Sequence, residues 1–227
     1  MDRRTLMLGA GAGAVAVGTY ALLRPGTQAQ LPLLPQPANA QEATTPASGA
    51  VPEVLEMVVG DPDAPVEVIE YASFTCPHCR SFHQNVYPQL KADYVENGQV
   101  RFVYREVYFD RFGLWAGMVA RCAGPDRYFG IVDMIYENQS TWTQGSPAEV
   151  AENLRRIGRT AGMTNDQLDA CLTDAEMAQA MISTYEGHME VHDISGTPAF
   201  VIAGQLYSNM SYADFQARID AALAAAQ

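Results

Sequence analysis

The chain has 227 residues and a formal net charge of −12 at pH 7, with Lys91 as its single lysine. So acidic a chain is a poor partner for nucleic acid or anionic lipid, because both are themselves negatively charged. The length allows one domain, or one domain with a substantial insertion.

The N-terminal segment has the pattern of an export signal. Two arginines precede an uncharged stretch over 6–23, and small residues at 38–40 form a cleavage pattern. We predict a signal peptide over 1–40. An uncleaved anchor is the alternative, because the apolar stretch approaches the roughly 20 residues of a spanning helix. Cleavage would leave 187 residues with a net charge of −14, beginning with a predicted linker over 41–52.

Beyond the linker, strand and helix patterns follow in a defined order. Alternating and branched residues predict strands, and 3.6-residue periods with Ser or Thr caps predict helices. The predicted strands are 54–59, 66–72, 100–107, 199–203 and 206–208, and the predicted helices follow residue 76, fill about 112–191 and end the chain at 212–225. This order predicts an α/β fold in which helices flank a central mixed β-sheet and an all-helical subdomain is inserted.

The Cys76-Pro77-His78-Cys79 motif lies where the second strand leads into a helix. A helix N-terminus has unpaired N–H groups and a favourable dipole, so it stabilises a thiolate on Cys76. A second thiol three residues on equips the pair for thiol–disulfide exchange.

The same two cysteines are also half of a zinc site. His83, four residues after Cys79, is the candidate third ligand, but the sequence offers no evident fourth. We therefore predict no metal.

The motif, the helical block and Gly196-Thr197-Pro198 ahead of a strand hairpin together resemble the bacterial DsbA-type thiol:disulfide oxidoreductases. The resemblance covers the predicted domain, 53–227, almost completely. It implies a thioredoxin-like fold and a monomeric periplasmic oxidase without a cofactor. Its clients would be unfolded exported proteins with free thiols, and a quinone-linked DsbB-type membrane protein would reoxidise it.

The resemblance and the chemistry assign roles within the motif. Cys76 is the predicted nucleophile, and Cys79, one turn into the helix, resolves the mixed disulfide. The imidazole of His78 is predicted to stabilise the Cys76 thiolate, with an ordinary exposed histidine as the alternative. Pro77 fixes φ at the first helical position.

The resemblance also makes Pro198 a cis-proline beside the cysteines, where base rates alone would favour a trans bond. The backbone of Thr197 is then free to pair with an extended substrate. The best-known oxidases of the family carry valine at this position, and threonine is commoner in related isomerases. A disulfide isomerase or reductase is therefore an alternative function, as is a cell-envelope protein with inert cysteines.

Three residues outside the motif also have predicted roles, one in the site and two in a structural disulfide. Glu70 corresponds to a buried acid that in this superfamily assists proton transfer from the second cysteine, although strand alternation also allows it to face solvent. Cys122 and Cys171 are predicted to form a structural disulfide within the helical block, because an exported protein meets an oxidising compartment. Two free thiols or a second redox pair are the alternatives.

Overall fold

The computed structural model describes residues 52–226. The predicted signal or anchor over 1–40 lies outside the described residues, as does all but the last residue of the predicted linker. Within 52–226, none of the helices combines the length and hydropathy that a membrane span requires.

A five-stranded mixed sheet forms the centre of the described domain. Its strands are β1 (Met57–Val59), β2 (Val66–Ala72), β3 (Val100–Glu106), β4 (Ala199–Ile202) and β5 (Gln205–Ser208). They lie in the order β1-β3-β2-β4-β5, with β2 and β3 parallel and the other neighbours antiparallel. Strand β2, which ends just before the cysteine motif, is therefore central.

Helices surround the sheet and fill the connection between β3 and β4. They are α1 (Pro77–Asn85), α2 (Tyr87–Leu90), α3 (Arg111–Cys122), α4 (Pro125–Glu137), α5 (Gln139–Trp142), α6 (Pro147–Thr160), α7 (Asn165–Thr173), α8 (Ala175–Val191) and α9 (Tyr212–Ala225), with a π-helical turn at Lys91–Val95. The insertion comprises α3 to α8. This architecture confirms the predicted α/β fold with a helical insertion.

Two helices of the insertion begin where the sequence places capping boxes. The Ser146 hydroxyl accepts the backbone N–H of Glu149, whose carboxylate accepts the Ser146 N–H in return. Thr164 and Gln167 make the same reciprocal pair at the start of α7. Each box satisfies two N–H groups that the first helical turn leaves unpaired.

Both faces of β2 are covered by other parts of the fold. Val66 and Val68 belong to the large core beneath the helices, whereas Ile69 and Tyr71 belong to a second core on the opposite face. Within the strand only Glu67 is exposed. A polar side chain elsewhere in β2 is therefore buried whichever face it occupies.

A disulfide between Cys122 and Cys171 ties the end of α3 to α7, with a Cα–Cα distance of 5.9 Å. The bridge spans 49 residues of the insertion. Cys76 and Cys79 are free thiols, so the structure describes the dithiol form of the motif.

Candidate active site

Cys76 occupies the N-cap position of α1, between the end of β2 and the first helical residue, Pro77. Its backbone is extended, with φ −79° and ψ 119°, and the side chain is partly exposed. Proline suits the first helical position because its missing N–H would have no partner there. The local sequence thus places one sulfur at the helix N-terminus and the other, on Cys79, inside the first turn.

The pKa of Cys76 is lowered from 9.0 to about 5. A hydrogen bond from the Cys79 side chain is the largest cause, and partial burial opposes it. The Thr197 side chain and the backbone N–H groups of Cys79 and His78 lower it further. Cys76 is therefore a thiolate at neutral pH.

Cys79 differs from Cys76 in both exposure and acidity. It is 0% exposed, and burial raises its pKa well above that of an ordinary thiol. The Cys76 side chain and the negative charge of Glu70 raise it further. Of the two sulfurs, Cys76 has the lower pKa and is the thiolate at neutral pH, whereas Cys79 is protonated.

The loop before β4 lies against Cys76. The Thr197–Pro198 peptide bond is cis. As a thiol, Cys76 donates through Sγ to the Thr197 carbonyl at 3.4 Å. The Thr197 hydroxyl is buried and has no hydrogen-bond partner within the described residues of this dithiol form. It lowers the pKa of Cys76 as a hydrogen-bond donor to the thiolate.

A cavity of about 400 Å³ borders this loop and the motif. It is lined by His78, residues 193–199 and residues 206–209. His78 is exposed, and its backbone N–H is one of the groups that lower the Cys76 pKa. A contribution from its imidazole stays a prediction.

Gln139 is a site residue that sequence analysis missed. It lies at the start of α5, is 4% exposed, and donates through Nε2 to the carbonyls of Phe74 at 2.8 Å and Cys76 at 3.0 Å. These carbonyls belong to the segment that carries Cys76. No local signal marks Gln139, because its partners are 63 and 65 residues away.

We expect Gln139→Leu to cost about 1–3 kcal/mol of unfolding free energy, because it leaves the buried Phe74 carbonyl without its donor. We also expect slower alkylation of Cys76, since the segment around it loses its anchor. Urea unfolding and iodoacetamide kinetics measure the two effects. The exposed neighbour Gln144→Leu is the control, with an expected change within about 0.5 kcal/mol. Equal unfolding midpoints for the Gln139 variant and the parent protein would contradict this role.

Residues at the start of the insertion and in α4 also form hydrogen bonds with the segment that precedes Cys76. Asp110 caps α3 by accepting the N–H groups of Phe112 and Gly113, and its second oxygen accepts the Thr75 hydroxyl at 2.7 Å. Tyr136 of α4 donates to the Ser73 carbonyl at 3.3 Å. The segment 73–76 is thus fixed by the helical insertion.

Glu70 lies beneath the motif and is fully buried, so the solvent-facing alternative is wrong. The physical reason is the packing on both faces of β2. Burial raises the pKa of Glu70, and His83 opposes that effect. His83, considered above as a zinc ligand, has its Nε2 at 2.9 Å from Glu70 Oε2.

The fold and the cysteine pair define the class of protein: a thioredoxin-like domain with a dithiol at a helix N-terminus. A family model described as thioredoxin matches residues 53–221. The crystal structure of alpha-DsbA1 from Wolbachia pipientis superposes with a TM-score of 0.70 at 25% identity, covering 78% of this chain and 94% of that chain.

Two proteins that are similar in sequence have names that refer to disulfide chemistry. A Rickettsia bellii protein, described provisionally as a protein-disulfide oxidoreductase, is 31% identical over 74% of this chain and 64% of its own length. Disulfide bond formation protein D of Bacillus subtilis is 28% identical over 44% of this chain and 49% of its own length. The chain thus spans less than two thirds of the length of these curated relatives. It belongs to the thioredoxin family, and within it to the DsbA type.

Proposed function

We propose that this protein is a thiol:disulfide oxidase that introduces disulfides into exported proteins through Cys76 and Cys79. The observation that carries the proposal is the unequal acidity of the two sulfurs. Cys76 has a pKa of about 5, whereas burial raises that of Cys79 far above it. A thiolate this stable is a good leaving group, so the oxidised protein readily gives its disulfide away.

The reaction moves two electrons from a client dithiol to the protein. A client thiolate attacks Cys76 Sγ in the Cys76–Cys79 disulfide, and Cys79 leaves and takes up a proton. A second client thiolate then attacks the client sulfur of the mixed disulfide. Cys76 leaves as a thiolate, and the client departs with its new disulfide.

The geometry around Thr197 supports an extended client. The cavity beside the Thr197–Pro198 bond is lined by His78 of the motif and has room for client side chains. An extended segment would add its backbone to that of Thr197, a common mode of peptide recognition. The clients we propose are unfolded exported proteins with free thiols.

We further propose that the protein acts as a monomer in the periplasm and that a DsbB-type, quinone-linked membrane protein reoxidises it. The export pattern over 1–40 and the Cys122–Cys171 disulfide support this location, because structural disulfides persist in oxidising compartments. Reoxidation reverses the electron flow, with Cys76 attacking the reoxidant's disulfide and Cys79 closing the pair.

A disulfide isomerase or reductase is the second candidate, and the threonine at position 197 motivates it. It would use the same cysteines in the dithiol state. The equilibrium reduction potential of the Cys76/Cys79 pair in glutathione buffers separates the two functions. We expect a value more oxidising than about −200 mV, whereas a value near −270 mV would leave a reductase or isomerase.

The measurement needs a variant that reports on the other disulfide. Thiol trapping followed by mass analysis counts reduced cysteines at each buffer composition. Cys76→Ser/Cys79→Ser retains only the Cys122–Cys171 bridge, so it shows over which buffers that bridge stays closed. If neither cysteine of the motif reacts in the reduced protein, both enzymatic functions are wrong and the cysteines are inert.

A further inference from the structure

The loop that brings Thr197 to Cys76 has few contacts of its own. Within the described part of the chain, residues 195–198 make one hydrogen bond, which the Cys76 thiol donates to the Thr197 carbonyl at 3.4 Å. Ser195 and Gly196 are exposed. A loop with so few contacts takes its position from the elements at its two ends, which are the end of α8 and the start of β4.

Tyr71 of β2 contacts both of these ends. Its backbone lies opposite Ala199 in the β2–β4 pairing, one residue after Pro198. Its side chain is 0% exposed and reaches the other end, where the hydroxyl oxygen lies 3.0 Å from the His188 carbonyl oxygen and 2.6 Å from His192 Nδ1. His188 lies in the last turn of α8, and His192 is its C-cap residue. A single residue of the central strand thus joins the two ends of the loop.

The three neighbours of the Tyr71 hydroxyl determine which group donates each hydrogen bond. The Arg105 guanidinium can only donate, and it donates to the hydroxyl at 2.8 Å. The His188 carbonyl can only accept, so it takes the single proton of the phenol. His192 must then donate from Nδ1–H to the same oxygen. In this arrangement the hydroxyl is satisfied in all three directions.

The charged and titratable groups around the hydroxyl favour this arrangement at neutral pH. Burial raises the pKa of Tyr71, so the phenol keeps its proton. Burial and the positive charge of Arg105 lower the pKa of His192, so its imidazole is neutral and its one proton lies on Nδ1. Glu56 accepts two hydrogen bonds from Arg105, at 2.6 Å and 3.0 Å, and thereby orients the guanidinium.

We propose that Tyr71 is a positioning residue for Cys76, because it fixes both ends of the loop 192–198 and thereby holds Thr197 against the sulfur. The backbone of Tyr71 fixes the start of β4, and its hydroxyl fixes the end of α8. The inference rests on the proposed function only in taking Cys76 as the reacting sulfur. An oxidase, an isomerase and a reductase all use that sulfur, so the direction of the reaction does not enter.

Tyr71→Phe removes the hydroxyl and keeps the ring in the core. We expect the end of α8 to shift and the Thr197 hydroxyl to lose its alignment with the Cys76 thiolate, whose pKa it lowers. The ultraviolet titration midpoint of Cys76 should therefore rise by about one pH unit, since a hydrogen bond to a charged group is weakened. Alkylation by iodoacetamide at pH 5 should slow about fivefold, because a smaller fraction of Cys76 is then thiolate.

A double variant tests whether Tyr71 acts through Thr197. Thr197→Val removes the donor to the thiolate directly. If both changes act on the same hydrogen bond, Tyr71→Phe/Thr197→Val has the same midpoint as Thr197→Val alone. Additive shifts would show that Tyr71 affects Cys76 by another route and would overturn the proposal.

Tyr94→Phe is the matched control, because Tyr94 is also buried and its hydroxyl donates to Asp220 at 2.8 Å. It should lower the unfolding free energy, as Tyr71→Phe does, and leave the Cys76 midpoint unchanged. A Tyr71→Phe midpoint equal to that of the parent protein overturns the proposal, as do equal shifts in the two tyrosine variants.

His192 provides a second test from the other side of the same hydrogen bond. His192→Leu removes the Nδ1–H donor, whereas the amide of His192→Asn keeps an N–H donor at the corresponding position. The midpoint should rise in His192→Leu and stay at the parent value in His192→Asn. If Tyr71→Phe fails to fold, an unchanged midpoint in His192→Leu overturns the proposal. The reduction potential is measured separately, so a wrong oxidase assignment does not change these outcomes.

Discussion

The thiolate absorbance of Cys76 is expected to titrate with a midpoint near pH 5, far below the 9.0 of an ordinary thiol. Because the Cys79 side chain is the largest cause, Cys79→Ala should move the midpoint upward more than Thr197→Val does. Ultraviolet titration of the reduced parent protein and of the two variants measures the three midpoints. The cysteines of the Cys122–Cys171 bridge do not titrate and add no signal.

The same shift predicts how stability depends on pH. A group whose pKa is lower in the folded state stabilises the fold fully above its unfolded pKa, and the effect is lost as the pH falls through the folded value. As the pH rises from 5 to 9, the unfolding free energy of the dithiol form should therefore increase relative to that of the disulfide form. A constant difference over this range, or a midpoint near 9, would contradict the acidity of Cys76.

The second large effect is expected at Arg121, which joins the insertion to the sheet. Its guanidinium makes a bidentate ion pair with Glu106 at the end of β3, and it also donates to the Leu55 carbonyl at 2.7 Å. Tyr128 donates to the same carboxylate at 2.8 Å. We expect Arg121→Met to lower the unfolding free energy by about 3–5 kcal/mol, because it leaves a buried charge without its partner.

Urea unfolding measures this loss, and two variants test its cause. Adding Glu106→Gln to Arg121→Met should restore much of the stability, since it removes the uncompensated charge. Arg155→Met breaks an ion pair with the exposed Asp169 and should cost less than about 1 kcal/mol. If Arg121→Met costs no more than Arg155→Met, the buried ion pair does not stabilise the fold.

Elements that short-range signals specify were predicted with accurate bounds. Strand β2 covers the predicted 66–72, and α9 covers the predicted 212–225. Branched residues favour the strand, and the Ser211 cap fixes the start of the helix. By contrast β1, predicted over 54–59, is limited to Met57–Val59, because only these residues pair with β3.

Within the site, the residues identified the cysteine motif directly, the resemblance supplied Glu70, Thr197 and Pro198, and Gln139 was missed. The cysteine motif can be read from four consecutive residues. Gln139 carries no such signal, since its partners are the carbonyls of a remote segment. The spacing of His83 indicated only a candidate metal ligand, because its partner is a carboxylate of β2. The burial of Glu70 likewise depends on packing over both faces of the sheet, which the alternation of one strand does not show.

The hydrogen bonds from the insertion to segment 73–76 have a consequence for how this fold can vary. Replacing 111–191 with a short linker would keep all five strands and both cysteines of the motif. The segment carrying Cys76 would nevertheless lose its contacts with Tyr136 and Gln139. The reactive loop therefore depends on the helical insertion for these hydrogen bonds, and transplanting the motif onto a bare sheet would require new donors for those carbonyls.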